Sequence, residues 1–280
     1  MPLGTLVQLM LPRWIVVRFA RVAAAFAYRL NRKARERLLE NCRHVLGAGT
    51  SESELHATTR RLFLHYVINL LDVMRVPVMK RRVLQLVEMD PLIVDRALAA
   101  KRGVVIVSGH FGNYDLAGVY MAAAGYPLSA VIEPVPRGWA KTYGRYRGAT
   151  AMETIPIPDR KAMIRSLHRG RMLALVSDRD LTGNGLLCPA FDAYRHFPKG
   201  AAAYSLRFGC PLLVAGMMFQ HEPGRRPYRM VYKSVEFTPT GDTNADVVRF
   251  TGLIAAEIND LIRRFPDQWL VFKAGWQQEP

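Results

Sequence analysis

Short runs of aliphatic residues recur along the chain, and amphipathic stretches separate them. Four consecutive β-branched aliphatics at 104–107 are typical of a strand that is buried on both faces of its sheet. Similar runs follow at 128–132, 172–176 and 212–219. Because helical stretches lie between these runs, the pattern predicts an α/β fold, with a central, mostly parallel sheet flanked by helices.

The last predicted strands are connected differently from the others. A turn at Glu222-Pro223-Gly224 follows the run at 212–219 and leads into a second strand-like segment at 228–233. A connection without a helix joins antiparallel strands, so we predict that 228–233 pairs antiparallel with 212–219 at the edge of the sheet. Long amphipathic helices are predicted from the capping-box-like Ser51-Glu52-Ser53-Glu54 onward and over 243–264.

The first 30 residues are apolar but interrupted by charge. Arg13, Arg18, Arg21 and Arg29 leave apolar stretches shorter than the roughly 20 residues that a membrane-spanning helix needs. The same interruptions argue against a cleaved signal peptide. Two interpretations of this N-terminal amphipathic helical region stay open. It is either a helix that lies in a membrane interface, or a packed helix whose arginine stems extend along its surface.

A histidine stands where the first buried strand ends and the next helix begins. Gly109 allows a turn, His110 follows it, and a helix is predicted over 111–124. Open α/β sheets bind their ligands at this edge. From the first helical turns, Asp115 can accept the proton of one imidazole nitrogen, and the other nitrogen can then take a proton from a substrate hydroxyl. The spacing also fits an ordinary strand-end histidine and an acid favoured by the helix dipole.

The block Gly109-His110-Phe111-Gly112-Asn113-Tyr114-Asp115 resembles the His-x4-Asp/Glu block of the lysophospholipid acyltransferase superfamily. It is most similar to the bacterial lipid A biosynthesis lauroyl/myristoyl acyltransferases and the phosphatidylinositol mannoside acyltransferases. The resemblance continues through ordered blocks from about Asn41 to Trp276. It implies a glycerolipid acyltransferase-like domain with His110 as general base and Asp115 as its partner. Asn113 is expected among the substrate-binding residues.

A second block, Arg145-Tyr146-Arg147 with Met152 to Pro156, resembles the family's Arg-Phe-Arg…Gly-Met-x-hydrophobic-Ile-Pro block. Ala151 stands where that block usually has glycine. The match implies that Arg147 is an active-site arginine, which would hold a phosphate or stabilise negative charge near the reacting carbonyl.

A third block, Ser177-Asp178-Arg179-Asp180-Leu181-Thr182, follows a buried strand and resembles the Asp-Arg-Asp-Leu-Thr motif of the phosphatidylinositol mannoside acyltransferases. Since carboxyl ends of parallel strands meet at one edge of a sheet, Asp178 and Arg179 are predicted to bind substrate at the same site as His110. The alternative is a structural ion pair.

Composition limits the possible partners. The 280 residues suffice for one large α/β domain, and half of them are hydrophobic. A net charge of +16 indicates a polyanionic partner, such as an anionic membrane, an acidic substrate or nucleic acid. Cys42, Cys188 and Cys210 lack CxxC or metal spacing, and the seven histidines lack paired metal spacing. We therefore expect reduced cysteines in a cytosolic compartment and no metal site.

The principal hypothesis is a membrane-associated O-acyltransferase. It would move a fatty acyl group from acyl-CoA or acyl carrier protein to a hydroxyl of a glycolipid, without a cofactor. The acceptor would be phosphatidylinositol mannoside-like or a lipid A precursor. Residues 1–40 would form membrane-interface helices and 41–280 a single α/β acyltransferase domain. The protein would lie peripherally on the anionic cytoplasmic face of the cell (inner) membrane.

Two alternatives come from other classes of protein. A lipid esterase would use the same His-Asp pair with water as acceptor, but Gly-x-Ser-x-Gly does not occur, and Ser108 precedes its glycine. A basic nucleic-acid-binding protein would fit the net charge, but no recognition motif is present, so no nucleic acid is expected as a partner.

Overall fold

The computed structural model describes residues 11–133, 151–222 and 224–279, except for the side chains of 78–80. Arg147 and its neighbours therefore lie outside the described residues. The described helices are α1 Arg13–Leu30, α2 Arg32–Leu46, α3 Glu52–Met79, α4 Leu92–Ala99, α5 Tyr114–Ala123, α6 Arg160–His168, α7 Gly200–Phe208 and α8 Thr243–Arg264. Short 3-10 helices span Lys80–Gln85 and Pro266–Gln268.

In the described part of the chain, seven strands form the main sheet and two form a separate hairpin. The strands are β1 Val87–Glu88, β2 Val104–Ser108, β3 Leu128–Ile132, β4 Glu153–Pro156, β5 Met172–Val176, β6 Leu186–Ala190, β7 Ala193–Phe197, β8 Leu212–Phe219 and β9 Tyr228–Ser234. In the main sheet the order is β1-β9-β8-β2-β5-β3-β4, and β6 pairs with β7 in the hairpin. Among the described strands of the main sheet only the β8–β9 pairing is antiparallel, so the predicted fold class is confirmed.

The prediction that β9 forms the edge of the sheet is wrong. β9 does pair antiparallel with β8, as the connection predicted, but β1 pairs parallel with its other side. In that pairing Val87 lies opposite Tyr228 and Glu88 opposite Arg229. Two residues are too few to show a period-2 pattern, so this edge strand gives no sequence signal.

Two hydrophobic layers cover the sheet. One layer contains inward side chains of α1, α3 and α5, and the other contains those of α7 and α8. The strands β2 and β8 contribute to both layers, since alternate residues of a strand point to opposite faces. Val104 and Val105, for example, are fully buried in different layers. The central strands are therefore apolar throughout, as the sequence pattern predicts.

One face of α1 is packed and the other is open. Val16, Ala20 and Ala24 are buried, and Arg13 forms an ion pair with the buried Asp72 of α3 at 2.9 Å. The opposite face is apolar and exposed at Trp14, Phe19, Val22, Phe26 and Leu30. Within the described residues no helix is long and apolar enough to cross a membrane. The division into 1–40 and 41–280 stays a prediction.

Candidate active site

The turn between β2 and α5 places His110 at the carboxyl edge of the sheet. Gly112 in this turn has a φ of +58°, and a Cβ atom there would lie 1.8 Å from the carbonyl oxygen of Met217. A Cβ atom at Gly109 would collide with the ring of Phe111. Gly112 is therefore needed for the turn to lie this close to β8, and Gly109 is needed for Phe111 and Asp178 to pack against the turn.

Asp178 holds His110 from the loop that follows the neighbouring strand, β5. Nδ1 of His110 lies 2.7 Å from one carboxylate oxygen of Asp178, and the backbone N–H of His110 donates to the other at 2.8 Å. The indole N–H of Trp269 donates to that second oxygen at 3.0 Å. Because an ionised carboxylate only accepts hydrogen bonds, Nδ1 carries a proton and Nε2 is the nitrogen available for chemistry.

The ion pair shifts the pKa of both partners. Burial alone would lower the pKa of His110, but the charge and hydrogen bond of Asp178, with the contact to Glu133, raise it to about 9. Burial would raise the pKa of Asp178, but the charge and hydrogen bonds of His110 hold it well below its usual range. Asp178 therefore stays ionised, and His110 binds a proton tightly.

A buried arginine supports Asp178 from behind. The guanidinium of Arg195 on β7 donates through Nη2 to the backbone carbonyl of Asp178, and through Nε to the carbonyl of Ala274 at 3.1 Å. It also lies over the rings of Trp269 and Trp276, at 4.6 and 5.3 Å from their centroids. Burial lowers the pKa of Arg195 to about 10, so the guanidinium remains charged at neutral pH, and this charge helps to keep Asp178 ionised.

Glu133 and Arg179 lie near the other imidazole nitrogen. A carboxylate oxygen of Glu133 is 3.7 Å from Nε2 of His110, and Nη2 of Arg179 donates to both Glu133 oxygens, at 2.8 and 3.1 Å. The contacts with His110 and Arg179 lower the pKa of Glu133, against the opposing effect of burial. Nε of Arg179 is shielded from solvent and has no hydrogen-bond partner among the described residues, so its N–H group can donate to a bound substrate.

His110, Glu133 and Arg179 line one cavity of about 1170 Å³, which extends between the sheet and helices α5, α6 and α7. Its lining is mainly apolar and includes Met121, Leu128, Ala130, Met152, Met163, Ile164, Ala174, Ala215 and Met230. Cationic and polar side chains at α6 and α7 also line it, namely Arg160, Lys199 and Arg207. The imidazole of His110 thus faces a cavity suited to a hydrocarbon chain that carries a polar or anionic end.

Three of the six predicted site residues line this cavity, namely His110, Asp115 and Arg179, and Asp178 contacts His110. Asp115 lines the same cavity, and its predicted role as partner of His110 stays a prediction. The carboxylate seen on Nδ1 is that of Asp178, which the sequence analysis assigned to substrate binding. Arg179, also assigned to substrate binding, lies beside Glu133 at the cavity wall. Arg147, outside the described residues, keeps its predicted role.

Asn113 is fully buried, and its observed contacts are structural. Its Oδ1 accepts the N–H of Leu116 at 3.1 Å and so caps α5, while its Nδ2 donates to the hydroxyl of Tyr228 at 3.0 Å. Asn113 is not among the described residues that line the cavity. This cap also explains why α5 begins at Tyr114 rather than at Phe111 as predicted.

Sequence reasoning missed three residues of the site. Glu133 directly follows β3, which is the same position at the carboxyl end of a strand that drew attention to Asp178. Trp269 lies within the span of the family resemblance, but no pattern singled it out, and Arg195 gave no signal, because a buried arginine in a hairpin strand looks like a surface one in sequence.

The chain is similar in sequence to known proteins. A model of the family of bacterial lipid A biosynthesis acyltransferases matches residues 3–278. The phosphatidylinositol mannoside acyltransferase of Mycobacterium tuberculosis (strain CDC 1551 / Oshkosh) is 27% identical over 216 residues, 73% of this chain and 66% of that protein. The protein of the same name from Mycolicibacterium smegmatis is 26% identical over 200 residues, 68% of this chain and 62% of that protein. The chain thus spans just under two thirds of the length of these curated relatives.

Because the family match covers residues 3–278, nearly the whole length, this chain belongs to the bacterial lipid A biosynthesis acyltransferase family.

Proposed function

We propose that the chain transfers a fatty acyl group from a thioester donor, acyl-CoA or acyl carrier protein, to a hydroxyl of a glycolipid, with His110 as general base. The observation that carries this proposal is the setting of the imidazole. Its Nδ1 is fixed on Asp178, and its ring lines a large, mainly apolar cavity. A hydroxyl bound beside Nε2 would be deprotonated by it.

The reaction needs no covalent acyl-enzyme. As Nε2 of His110 takes the acceptor proton, the hydroxyl oxygen attacks the thioester carbonyl carbon and a tetrahedral oxyanion forms. The oxyanion then collapses, the carbon–sulfur bond breaks, and the imidazolium returns the proton to the departing thiolate. The products are an ester and a free thiol. Asp178 would stabilise the imidazolium throughout, as the buried carboxylate does in a serine protease triad.

Arg179 is the described residue best suited to the oxyanion. It lines the cavity beside His110, and its Nε has a buried N–H without a partner among the described residues. An unpaired N–H donor that is already held in a shielded site stabilises the negative charge of the oxyanion, because the site need not rearrange as the charge forms. Arg147 is proposed for the same task, or for a phosphate of the acceptor or donor, on its resemblance to the family's active-site arginine.

The acceptor is proposed to be phosphatidylinositol mannoside-like, with a lipid A precursor as the runner-up. The relatives at 26–27% identity are named phosphatidylinositol mannoside acyltransferases, and the Asp178-Arg179-Asp180 block resembles theirs. The family model favours lipid A chemistry more generally. Both acceptors present sugar hydroxyls on an anionic lipid, which suits a chain of net charge +16.

We also propose that α1 rests on the cytoplasmic face of the cell membrane. Its open face combines Trp14, Phe19 and Phe26 with exposed arginines, the pattern of an interfacial helix. Binding there would hold the enzyme on the surface that carries its lipid acceptor.

The test is mass spectrometry of products formed from acyl-CoA or acyl carrier protein thioesters with a panel of lipid acceptors. We expect an acylated phosphatidylinositol mannoside and a free thiol in equal amounts. Release of free fatty acid at the same rate with and without every acceptor would instead indicate a hydrolase and contradict the proposal.

A further inference from the structure

Two histidines and an aspartate from three separate elements meet beneath the loop that supports His110. His65 lies on α3, His221 follows β8, and Asp267 lies in the 3-10 helix Pro266–Gln268. One nitrogen of each histidine and one oxygen of the aspartate lie within 4.8 Å of one another. These positions are far apart in sequence, so spacing along the chain, on which the expectation of no metal rested, gives no indication of the cluster.

The inner histidine has an unused nitrogen. His65 is fully buried, and its Nδ1 lies 2.7 Å from the backbone carbonyl oxygen of Asp267. A carbonyl only accepts hydrogen bonds, so Nδ1 carries the proton and Nε2 has the lone pair. Nε2 is buried and has no hydrogen-bond partner among the described residues. Leaving such an acceptor unpaired costs stability, which calls for an explanation.

We propose that His65, His221 and Asp267 bind one divalent transition-metal ion of the zinc type. Two imidazoles and one carboxylate match the donor set that zinc prefers, and three protein ligands leave a fourth position for water. The backbone carbonyl on Nδ1 of His65 is the outer contact that orients a metal-binding histidine and fixes its tautomer. Magnesium, which prefers oxygen ligands, would not suit this set.

The three ligand atoms are further apart than those of an occupied zinc site, so the side chains must move inward to bind an ion. Ligand atoms around tetrahedral zinc lie about 3.3 Å apart, given bonds of about 2.0–2.1 Å. The ring of His221 stacks nearly parallel on that of His65 at a centroid distance of 5.2 Å, so it must turn out of this stack to direct a nitrogen lone pair at a shared ion, and its exposure leaves it room to turn. Arg61 donates to Oδ2 of Asp267 at 2.9 Å. This cation leaves Oδ1 for the metal and moderates the affinity.

A bound ion would join α3 to the segment that holds the catalytic turn. Next to Asp267, the carbonyl of Gln268 accepts the N–H of Gly112 at 2.8 Å, and the N–H of Leu270 donates to the carbonyl of His110 at 2.6 Å. Trp269, between them, donates to Asp178. The three proposed ligands do not occur among the described residues that line the cavity, so the ion would have a structural role.

The experiment uses the full chain without a polyhistidine tag, stripped with a chelator and titrated with Zn²⁺ by calorimetry. We expect one saturable site per chain. Zn²⁺ at about 100 times its Kd should raise the melting temperature by about 5 °C or more, and Mg²⁺ should not. Co²⁺ should show the visible absorption of a four-coordinate site.

The informative variant is His221→Ala, because this side chain is exposed and its removal should leave the fold intact. It should weaken Zn²⁺ binding at least about tenfold, since one of three ligands is lost, and abolish the Co²⁺ spectrum. The matched control is His196→Ala, another exposed histidine, which should bind as the wild type does. Absence of saturable Zn²⁺ binding in the wild type, or equal affinity in His221→Ala, overturns the proposal. Neither result bears on acyl transfer, which is assayed separately.

Discussion

Nδ1 of His110 lies 2.7 Å from a carboxylate oxygen of Asp178, although 68 positions separate the two residues in the chain. They meet because β2 and β5 pair in parallel with Ser108 opposite Val176, so the loops that leave both strands start at the same edge. Asp178 also accepts the backbone N–H of His110. One carboxylate therefore fixes both the ring and the turn that presents it.

Replacing Asp178 by Asn should remove base catalysis while keeping the size of the side chain. Two N–H groups, from His110 and Trp269, point at one oxygen of Asp178, so the amide oxygen of Asn would take that place. The amide NH2 would then face Nδ1 and favour the tautomer with a proton on Nε2, the wrong one for a base. We expect kcat to fall by about 10²–10⁴, measured by thiol release with the preferred acceptor.

Asp115→Asn distinguishes the two candidate partners of the imidazole. If Asp115 assists His110 as the family block implies, its loss should also lower turnover by about two orders of magnitude. His110→Ala provides the baseline, and the melting temperature of each variant checks that the fold persists. Near-normal turnover in Asp178→Asn, with a large loss in Asp115→Asn, would show that the contact on Nδ1 is structural.

Activity should rise with pH well above neutrality. Asp178 raises the pKa of His110 to about 9, and a general base must be unprotonated to act. In the free enzyme kcat/KM should therefore increase about tenfold per pH unit and level off near pH 9. The measurement is kcat/KM between pH 6 and 10 with a non-titrating acceptor. A flat or falling profile below pH 9 would rule out His110 as the base with this pKa.

Glu133→Gln should shift that profile to lower pH. The substitution removes a negative charge 3.7 Å from Nε2, which lowers the pKa of His110. Arg179 would lose its ion-pair partner at the same time, so kcat at high pH serves as the separate readout of oxyanion stabilisation. An unchanged midpoint in Glu133→Gln would show that Glu133 does not influence the protonation of His110.

From the sequence, only those residues of the site that directly follow a recognisable strand could be predicted. His110 and Asp178 each follow an aliphatic run, and parallel strands bring such residues to one edge. The choice between Asp115 and Asp178 depends on where the turn points the ring. That direction is set by Gly112 packing against Met217, a contact between distant segments that local spacing does not encode.

The fold was predictable where apolar runs were long enough to show their period. β2 and β8 have clear runs, and α8 begins and ends at the predicted residues, with Asp242 as its cap. β1 has two residues and was missed. Arg195 was missed for another reason: its burial follows from the aromatic rings and carbonyls around it, and these come from the closing segment of the chain.

Arg195→Lys should destabilise the protein and disturb the site. Lysine cannot reproduce the fork that joins the carbonyls of Asp178 and Ala274, and it would leave a buried acceptor unpaired. We expect the free energy of unfolding to fall by about 2–4 kcal/mol, measured by denaturant titration. Arg225→Lys, at an exposed ion pair, is the control and should change it by less than about 0.5 kcal/mol. Equal effects at both positions would contradict the supporting role of Arg195.

Ala174→Phe should shorten the acyl chains that the enzyme accepts. Ala174 lies on β5 and lines the apolar part of the cavity, so a ring there would fill space that a long chain needs. We expect kcat/KM to fall by about tenfold or more for a palmitoyl donor, whereas an octanoyl donor should be affected little. The two donors are compared on the same variant, so a general folding defect would lower both. Equal losses with both donors would show that the acyl chain lies elsewhere.

Removing two exposed rings from α1 should weaken membrane binding without unfolding the helix. Phe19 and Phe26 are 62% and 59% exposed on its open face, whereas Val16 and Ala20 pack into the core. Deleting the whole helix would open that core, so Phe19→Ser with Phe26→Ser is the cleaner variant. Each ring contributes about 1.5–3 kcal/mol when buried in the interface. The double variant should therefore bind anionic liposomes at least about 100-fold more weakly in co-sedimentation.

The matched control is Leu92→Ser with Val248→Ser, which removes two exposed apolar side chains from α4 and α8. It should bind liposomes as the wild type does. Wild-type binding should also decrease as salt increases, since the open face of α1 includes Arg18, Arg21 and Arg29, and each basic residue near an anionic surface adds about 1 kcal/mol. Equal binding by both double variants would place the membrane contact outside α1 and make this helix a packing element.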